Sequence, residues 1–430
     1  MGINRINPLL KRHAPDAFFT MPITMLSGKR IAIDGDNWMY TYMYTARKKV
    51  IKKTDIMTEE PNQIEIRREW FLEAITFILR WLAYNITPVF VFDGKHPPEK
   101  DETKAKRRDK RVALRAEIDA LYEQIRKDVL ERPANITDQL RKKLINYNYI
   151  SSEDYELFKM IIKGIGIPCI QAVGDCERLC SVLCAEKKVA GVFSVDTDNL
   201  VYGCPLIITN FSDKCSYDEY GCKIGHIECV RLDKILMGLG ISHSMFVDLC
   251  IMSGCDYNKN MPGYAAINSY KLLQKYGSID NLPRNFNIEC LKHIRCRELF
   301  KYESSDKLSV KDDSLDSNIT TTDFDNLIQI ESKNQNPLDI NKHAIATARY
   351  YLEMVGVSGQ IDRILSSYNK ITAGNDGLIE ELELVPINPY IPPTPRISLN
   401  IISNQQMTKV PLPQVPQPCH KFLRLNIVHK

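Results

Sequence analysis

The sequence lacks any apolar run fit to span a membrane. Its longest candidate, from Trp70 to Phe92, is broken by Glu73, Arg80, Asn85 and Pro88, so it reads as an amphipathic helix followed by a strand. It opens without a basic-then-apolar secretory segment, and its 13 cysteines are an odd number without regular pairing. Disulfides are therefore not expected, and a reducing compartment is. Structural zinc spacing is missing as well. Cys204, Cys215, Cys222 and Cys229 are scattered, and Cys290 and Cys296 flank His293 without a second pair. Cys176, Cys180 and Cys184 recur every four residues, as small buried thiols on one helix do. After Met1-Gly2 a myristoylation signal needs Ser or Thr at the sixth position, where Ile6 stands. Charge of one sign is also scarce: a net +4 over 430 residues means that attraction to nucleic acid must come from how charge is distributed.

What the chain does have is 44% hydrophobic residues, enough for one large core with appendages. Short apolar runs at Arg30 to Ile33, Pro88 to Phe92, Ile167 to Gln171 and Val189 to Val195 alternate with helical patterns, which predicts an α/β fold with a mostly parallel central sheet flanked by helices. Each run ends at acids: Asp34, Asp93, the Asp175/Glu177 pair and the Asp196/Asp198 pair. Sites in open α/β sheets lie beyond the carboxyl ends of strands. A single Asp after a strand is usually a cap or turn residue, and Asp36 is assigned that role, capping a helix from Asn37. Several such acids converging on one edge are another matter, because like charges a few ångströms apart raise one another's pKa unless cations neutralise them. Hard oxygen donors favour Mg²⁺ or Mn²⁺, and two such ions about 3.5–4 Å apart can carry out phosphodiester hydrolysis.

Between the strands lies the missing positive charge. Residues 95 to 115 hold nine Lys or Arg against four acids, a net +5. Farther on, 303–341 is polar and reads as a disordered insertion, 342–370 as a C-terminal helical segment, and 385–430 as an extended tail with nine prolines.

As a set, Met1-Gly-Ile3, Ile33-Asp34 with Tyr40, Val91-Phe-Asp93-Gly-Lys95, Asp175-Cys-Glu177, Asp196-Thr-Asp198-Asn-Leu-Val-Tyr-Gly203 and Gly254-Cys-Asp256-Tyr257 resemble the XPG/flap endonuclease superfamily of 5′ nucleases, including its five-prime exonuclease branch. The resemblance runs to about Leu282. It implies a PIN-like nuclease core split into 1–94 and 151–300, a basic helical arch at 95–150, and a helix-hairpin-helix-like DNA-binding element at about 243–282. The metal-binding acids it implies are Asp34, Asp93, Asp175, Glu177, Asp196, Asp198 and Asp256. Lys100 and Arg107 fall on its phosphate-contacting basic positions, and Tyr40 on the aromatic that stacks a base. Gly2 matches the start residue beside the substrate junction. Lys95, Lys104, Lys106 and Arg108 join the arch's contacts to the 5′ strand, and Gly254 and Gly263 belong to the duplex-gripping element, which is expected to hold K⁺. Two departures stand out: Asp175 replaces the commoner Glu, and the usual Gly-hydrophobic-Gly turn reads Gly263-Tyr264-Ala265.

The implied activity is two-metal cleavage of DNA with 5′ flaps, nicks or gaps, in replication, repair or recombination. The implied protein is a monomer without a membrane partner, in the nucleus or, if viral, at a cytoplasmic replication site. The tail shows no sliding-clamp motif. Two alternatives remain: a 5′ to 3′ exoribonuclease, against which the duplex-gripping element speaks, and a noncatalytic junction-binding scaffold, against which seven intact acids speak.

Overall fold

The computed structural model describes residues 2–127, 135–217 and 223–301, together with 310–311, 318–319 and 350. The expected disordered insertion lies outside these residues except at 310–311 and 318–319. The C-terminal helical segment lies outside them except at 350, and the whole proline-rich tail does so too.

A nine-stranded sheet runs in the order β1-β7-β6-β5-β2-β3-β4-β8-β9. Its strands are β1 (Phe18–Pro22), β2 (Arg30–Asp34), β3 (Thr87–Phe92), β4 (Cys169–Gln171), β5 (Val192–Phe193), β6 (Leu206–Tyr217), β7 (Lys223–Arg231), β8 (Val310–Lys311) and β9 (Asn318–Ile319). The centre, β4-β3-β2-β5-β6, is parallel, as expected. Both flanks are antiparallel: β7 and β1 on one side, β8 and β9 on the other. The expected strands at Ile167 to Gln171 and Val189 to Val195 shrink to three and two residues.

Alternation along the central strands separates two cores. Ile31, Ile33, Phe90, Phe92 and Phe193 face one side, where they pack under α2 (Gly35–Lys53), α3 (Gln63–Leu82) and α6 (Ser152–Gly164). Ala32, Val89, Val91 and Val192 face the other, under α1 (Ile6–His13), α7 (Cys176–Ala185), α8 (Asp198–Val201), α9 (Leu232–Leu239), α10 (His243–Ser253) and α11 (Ala266–Tyr276). Cys176, Cys180 and Cys184 are all buried in α7, as their spacing suggested. The basic block forms the start of α4 (Asp101–Lys127), which packs with α5 (Ile136–Asn146) around a third, small core that includes Ile51, Ile118 and Leu140.

Candidate active site

The acids gather where the parallel strands end. Asp34 closes β2, is wholly buried, and caps α2: its Oδ1 accepts from the Asn37 amide at 3.0 Å. Ser194 Oγ donates to its other oxygen at 2.7 Å, and the Cys176 thiol to Oδ1 at 3.2 Å. The cap role expected of Asp36 is therefore held by Asp34. The helix starts at Gly35 rather than Asn37, so Asp36 falls within its first turn. There Asp36 Oδ2 accepts from the Asp93 amide at 2.7 Å and the Tyr155 hydroxyl at 3.4 Å.

Asp93 stands one residue beyond β3, and its Oδ1 accepts from the Cys176 amide at 2.8 Å, meeting the positive end of α7. Asp175 occupies the N-cap position of that helix but turns its carboxylate away. Lys100 Nζ reaches it at 2.8 Å, and the Tyr257 hydroxyl donates to its second oxygen. Glu177 lies in the first turn of the same helix. Beyond β5, the Asp196 amide donates to Ser194 Oγ at 3.0 Å, and Asp196 Oδ1 accepts from the Asp198 amide at 3.1 Å. Asp256 follows α10 and receives both of its contacts from one Arg107 nitrogen, at 2.9 Å each.

Three overlapping groups bring possible ligand atoms within 4.8 Å of one another: Asp93, Asp175 and Glu177; Asp34, Cys176 and Glu177; and Asp36, Asp93 and Cys176. Asp196, Asp198 and Asp256 belong to none of these groups and form a second bank, linked to the first through charge. Burial pushes Asp34 up to about 6, with Asp196 adding to the rise. Burial and then Asp93 push Asp36 up to about 7. Glu177 is held well above the usual carboxylate range by burial and then by Asp34 and Asp93, and Asp198 by burial and then by Asp196 and Asp256. Asp198 Oδ1 is buried without a hydrogen-bond partner among the described residues. A buried carboxylate oxygen that no described protein donor satisfies belongs to the donor set a hard divalent cation takes. These residues fit such an ion.

Cations stand against both banks. Burial opposes the Lys100 charge, yet Glu177, Asp175 and Asp93 outweigh it and raise the Lys100 pKa. Thr103 Oγ1 donates to the Asp256 carbonyl at 2.9 Å, so the first turns of α4 are tied to the Asp256 loop by two side chains, Thr103 and Arg107. The other basic candidates lie nearer the surface. Lys95 is exposed, Lys104 Nζ pairs with His96 at 2.8 Å, Lys106 with Glu102 at 2.7 Å, and Arg108 approaches Asp109 at 3.9 Å. Tyr40 remains 39% exposed on α2. Gly2 has φ +88°, and a Cβ there would lie 2.1 Å from Asp196 Oδ1. Only a glycine backbone fits that close to the acids. The Gly254 carbonyl accepts from the Asn4 amide at 3.0 Å. Gly263, at φ +80°, opens the turn into α11, where Tyr264 packs edge-on against Phe286. Tyr264 thus fills the hydrophobic place of the turn, and the residue that departs from the pattern, Ala265, sits at the N-cap position of α11 without a side-chain cap.

Sequence reasoning passed over Cys176 as a neighbour of the acids, and also Ser194, Tyr155 and Tyr257. Ser194 and Tyr257 carried a weak signal, lying two residues before Asp196 and one after Asp256. Tyr155 carried none, since it is a residue on α6 brought in by packing.

Residues 1–114 match the model of the XPG N-terminal domain, and 166–256 that of the XPG I-region. Over 313 residues the chain is 33% identical to flap endonuclease 1 of Cryptosporidium muris, covering 70% of this chain and 62% of that protein. Over 289 residues it is 30% identical to flap endonuclease 1 of Glycine max, covering 67% and 70%. It is also 30% identical over 339 residues to the probable RAD2-like endonuclease 369L of Invertebrate iridescent virus 6, covering 70% and 80%. The solved flap endonuclease-1 from Methanococcus jannaschii superposes with a TM-score of 0.46 at 20% identity, over 80% of this chain and 97% of that one.

Proposed function

The chain belongs to the XPG/flap endonuclease family of nucleases, and on that premise we propose that it cuts DNA at 5′ flaps, with 5′ to 3′ exonuclease action at nicks and gaps. The observation that carries the reading is the convergence of buried carboxylates at adjacent strand ends with Lys100 placed among them.

Asp34, Asp93, Asp175 and Glu177 would hold one part of a Mg²⁺ or Mn²⁺ site, and Asp196, Asp198 and Asp256 the other. Bound there, a divalent ion supplies a water of lowered pKa and neutralises charge building on the phosphate. The protein's own residues do the rest. Lys100 and Arg107 are charged and anchored on Asp175 and Asp256, so a scissile phosphate entering between the banks meets two preplaced cations. Tyr40 offers an exposed ring on which the base beside the cut can stack. Gly2 leaves room for backbone and substrate beside Asp196. The basic start of α4, with Lys95, Lys104, Lys106 and Arg108, serves as an arch for the 5′ strand. Gly254, Gly263 and the N-terminus of α11 grip duplex phosphate, with K⁺ between. The protein acts as a monomer in DNA replication, repair or recombination, in the nucleus or at a viral replication site.

The test is Mg²⁺-dependent cleavage of labelled 5′-flap, nicked-duplex and single-stranded RNA substrates by wild type and Asp196→Ala. Cutting at the flap base that disappears in the variant is the expected result. Binding without cutting, in either metal, would replace the nuclease with a junction scaffold, and preference for the RNA would replace it with an exoribonuclease.

A further inference from the structure

One helix sends two polar side chains to the acidic centre. On α6, Tyr155 and Lys159 stand one turn apart and share a face. The Tyr155 hydroxyl donates to Asp36 Oδ2, which also accepts from the Asp93 amide. Lys159 Nζ donates to Gln171 Oε1 at 2.8 Å, and Gln171 Nε2 donates to the Asp93 carbonyl at 2.5 Å. One path ends on the amide of Asp93 and the other on its carbonyl, so both peptide groups beside its Cα are held from α6, while its Oδ1 takes the Cys176 amide at 2.8 Å. Lys159 is only 6% exposed. An ammonium so buried is costly unless its hydrogens are used. Its Nζ lies 5.8 Å from the Phe92 ring centre and 5.7 Å from that of Tyr155, and 3.9 Å from Glu156. An apolar side chain of the same length could fill this place. What the charge adds is direction. The two ends of a glutamine amide have nearly the same shape and opposite hydrogen-bonding sense, and Oε1 turned toward Asp93 would meet its carbonyl acceptor to acceptor. An ammonium, which only donates, keeps Oε1 on its own side and leaves Nε2 for Asp93.

We propose that Lys159 is a positioning residue: acting through Gln171, it fixes the orientation of the Asp93 peptide and with it the carboxylate that Asp93 offers to a divalent ion. The inference rests on the nuclease reading above and adds to it a residue that touches neither substrate nor ion. Support of this kind tunes a ligand without contributing an atom to the site.

The experiment compares wild type with Lys159→Met, Lys159→Arg and Gln171→Glu. Methionine keeps the apolar stem and loses the charge, arginine restores a donor-only cation, and glutamate keeps an acceptor for Lys159 but has no hydrogen for the Asp93 carbonyl. Titration calorimetry with Mg²⁺ alone should show affinity weakened about tenfold in Lys159→Met and Gln171→Glu, the lower end of what losing a ligand's hydrogen-bonded support costs, and largely recovered in Lys159→Arg. The Mg²⁺ concentration for half-maximal incision of a 5′ flap should rise by the same factor, with KM for the flap at saturating Mg²⁺ unchanged. A residue that merely packs would lower the melting temperature and leave Mg²⁺ affinity where it was. That result in both Lys159→Met and Gln171→Glu overturns the proposal and leaves the nuclease standing. A wild type that incises no substrate and takes up no Mg²⁺ overturns the nuclease reading instead. Hydrogen exchange in EDTA then decides the role of Lys159: faster exchange of the Asp93 amide in both variants, with the β1–β7 amides unchanged, upholds it, and unaltered protection at Asp93 overturns it.

Discussion

Lys100 and Arg107 each place a full charge on a carboxylate expected to hold metal, Asp175 and Asp256. The pairing keeps the acids tolerable until ion and substrate arrive, and it holds both cations where a phosphate would need them. Lys100→Ala should therefore lower kcat by about 10²–10³, as loss of one charge-stabilising donor does, with KM much less affected. Steady-state incision of a flap substrate checks this, and a loss confined to KM would reduce Lys100 to a binding residue. Asp198 makes the opposite case. Its buried oxygen has no partner among the described residues and its pKa is held high, so the charge is a burden on the fold. Asp198→Asn should raise the melting temperature in EDTA by a few degrees, as ~1 kcal/mol does in a domain of this size, and should shrink the increment Mg²⁺ adds. At this scale the sequence was most legible where an acid follows an apolar strand, because strand end and site coincide there. It misled at Asp36, because a helix boundary two residues earlier exchanges the cap and first-turn roles of Asp34 and Asp36.

The basic block and the segment proposed to grip duplex meet as elements. Thr103 and Arg107, one turn apart near the start of α4, bind the loop that follows α10, so the start of α4 is tied to Asp256 at two points. One position on from each of these, Lys104 and Arg108 have surface partners among the described residues, His96 and Asp109, which cost little to exchange for phosphate. Lys104→Ala and Arg108→Ala should each reduce the slope of log affinity against log salt by about 0.7 to 0.9 while leaving cleavage position unchanged. Fluorescence anisotropy of a flap substrate across a salt series reads this, and an unaltered slope would exclude the residue from the strand path. Helices α2, α3 and α7 could be read from sequence because amphipathic spacing survives in them. Of the antiparallel flank, the resemblance to the exonuclease branch implies a hairpin over Phe211 to Cys222, where β6 ends and β7 follows, but not the extent of the strands. The β6–β7 pairing shifts register between Ile208 and Asn210 and again between Ser212 and Cys215, which breaks the period of two that marks a strand.

For the whole molecule, the acidic centre is expected to couple folding to pH and to the proposed metal. Asp34 and Asp36 carry pKa values pushed up to about 6 and about 7. Protonation of these groups stabilises the metal-free fold fully below about pH 4, where the unfolded carboxyls also bind protons, and that stabilisation is lost as pH rises through 6 to 7. In EDTA the melting temperature should fall between pH 5 and 8. Mg²⁺ should remove most of the fall and release protons on binding near pH 6, which melting curves and titration calorimetry in two buffers would show. Equal pH slopes with and without metal would separate these acids from the ion. The parallel centre was legible as a whole because each of its strands is short and apolar, and the convergence of their terminal acids was expected with it, whereas the division into two banks was not, since it depends on which side chains approach closely. That order has a consequence for how the protein is made. Asp34, on the central strand β2, has as neighbours β3, some sixty residues later, and β5, which follows another hundred. A chain emerging from the ribosome presents Asp34 early, but its catalytic partners do not exist until β5 and the Asp256 loop have been synthesised and threaded into place. Until Asp256 is made, the nascent chain lacks one of its proposed metal ligands, and a product truncated before Asp256 should not incise a 5′-flap substrate that the longer chain cuts.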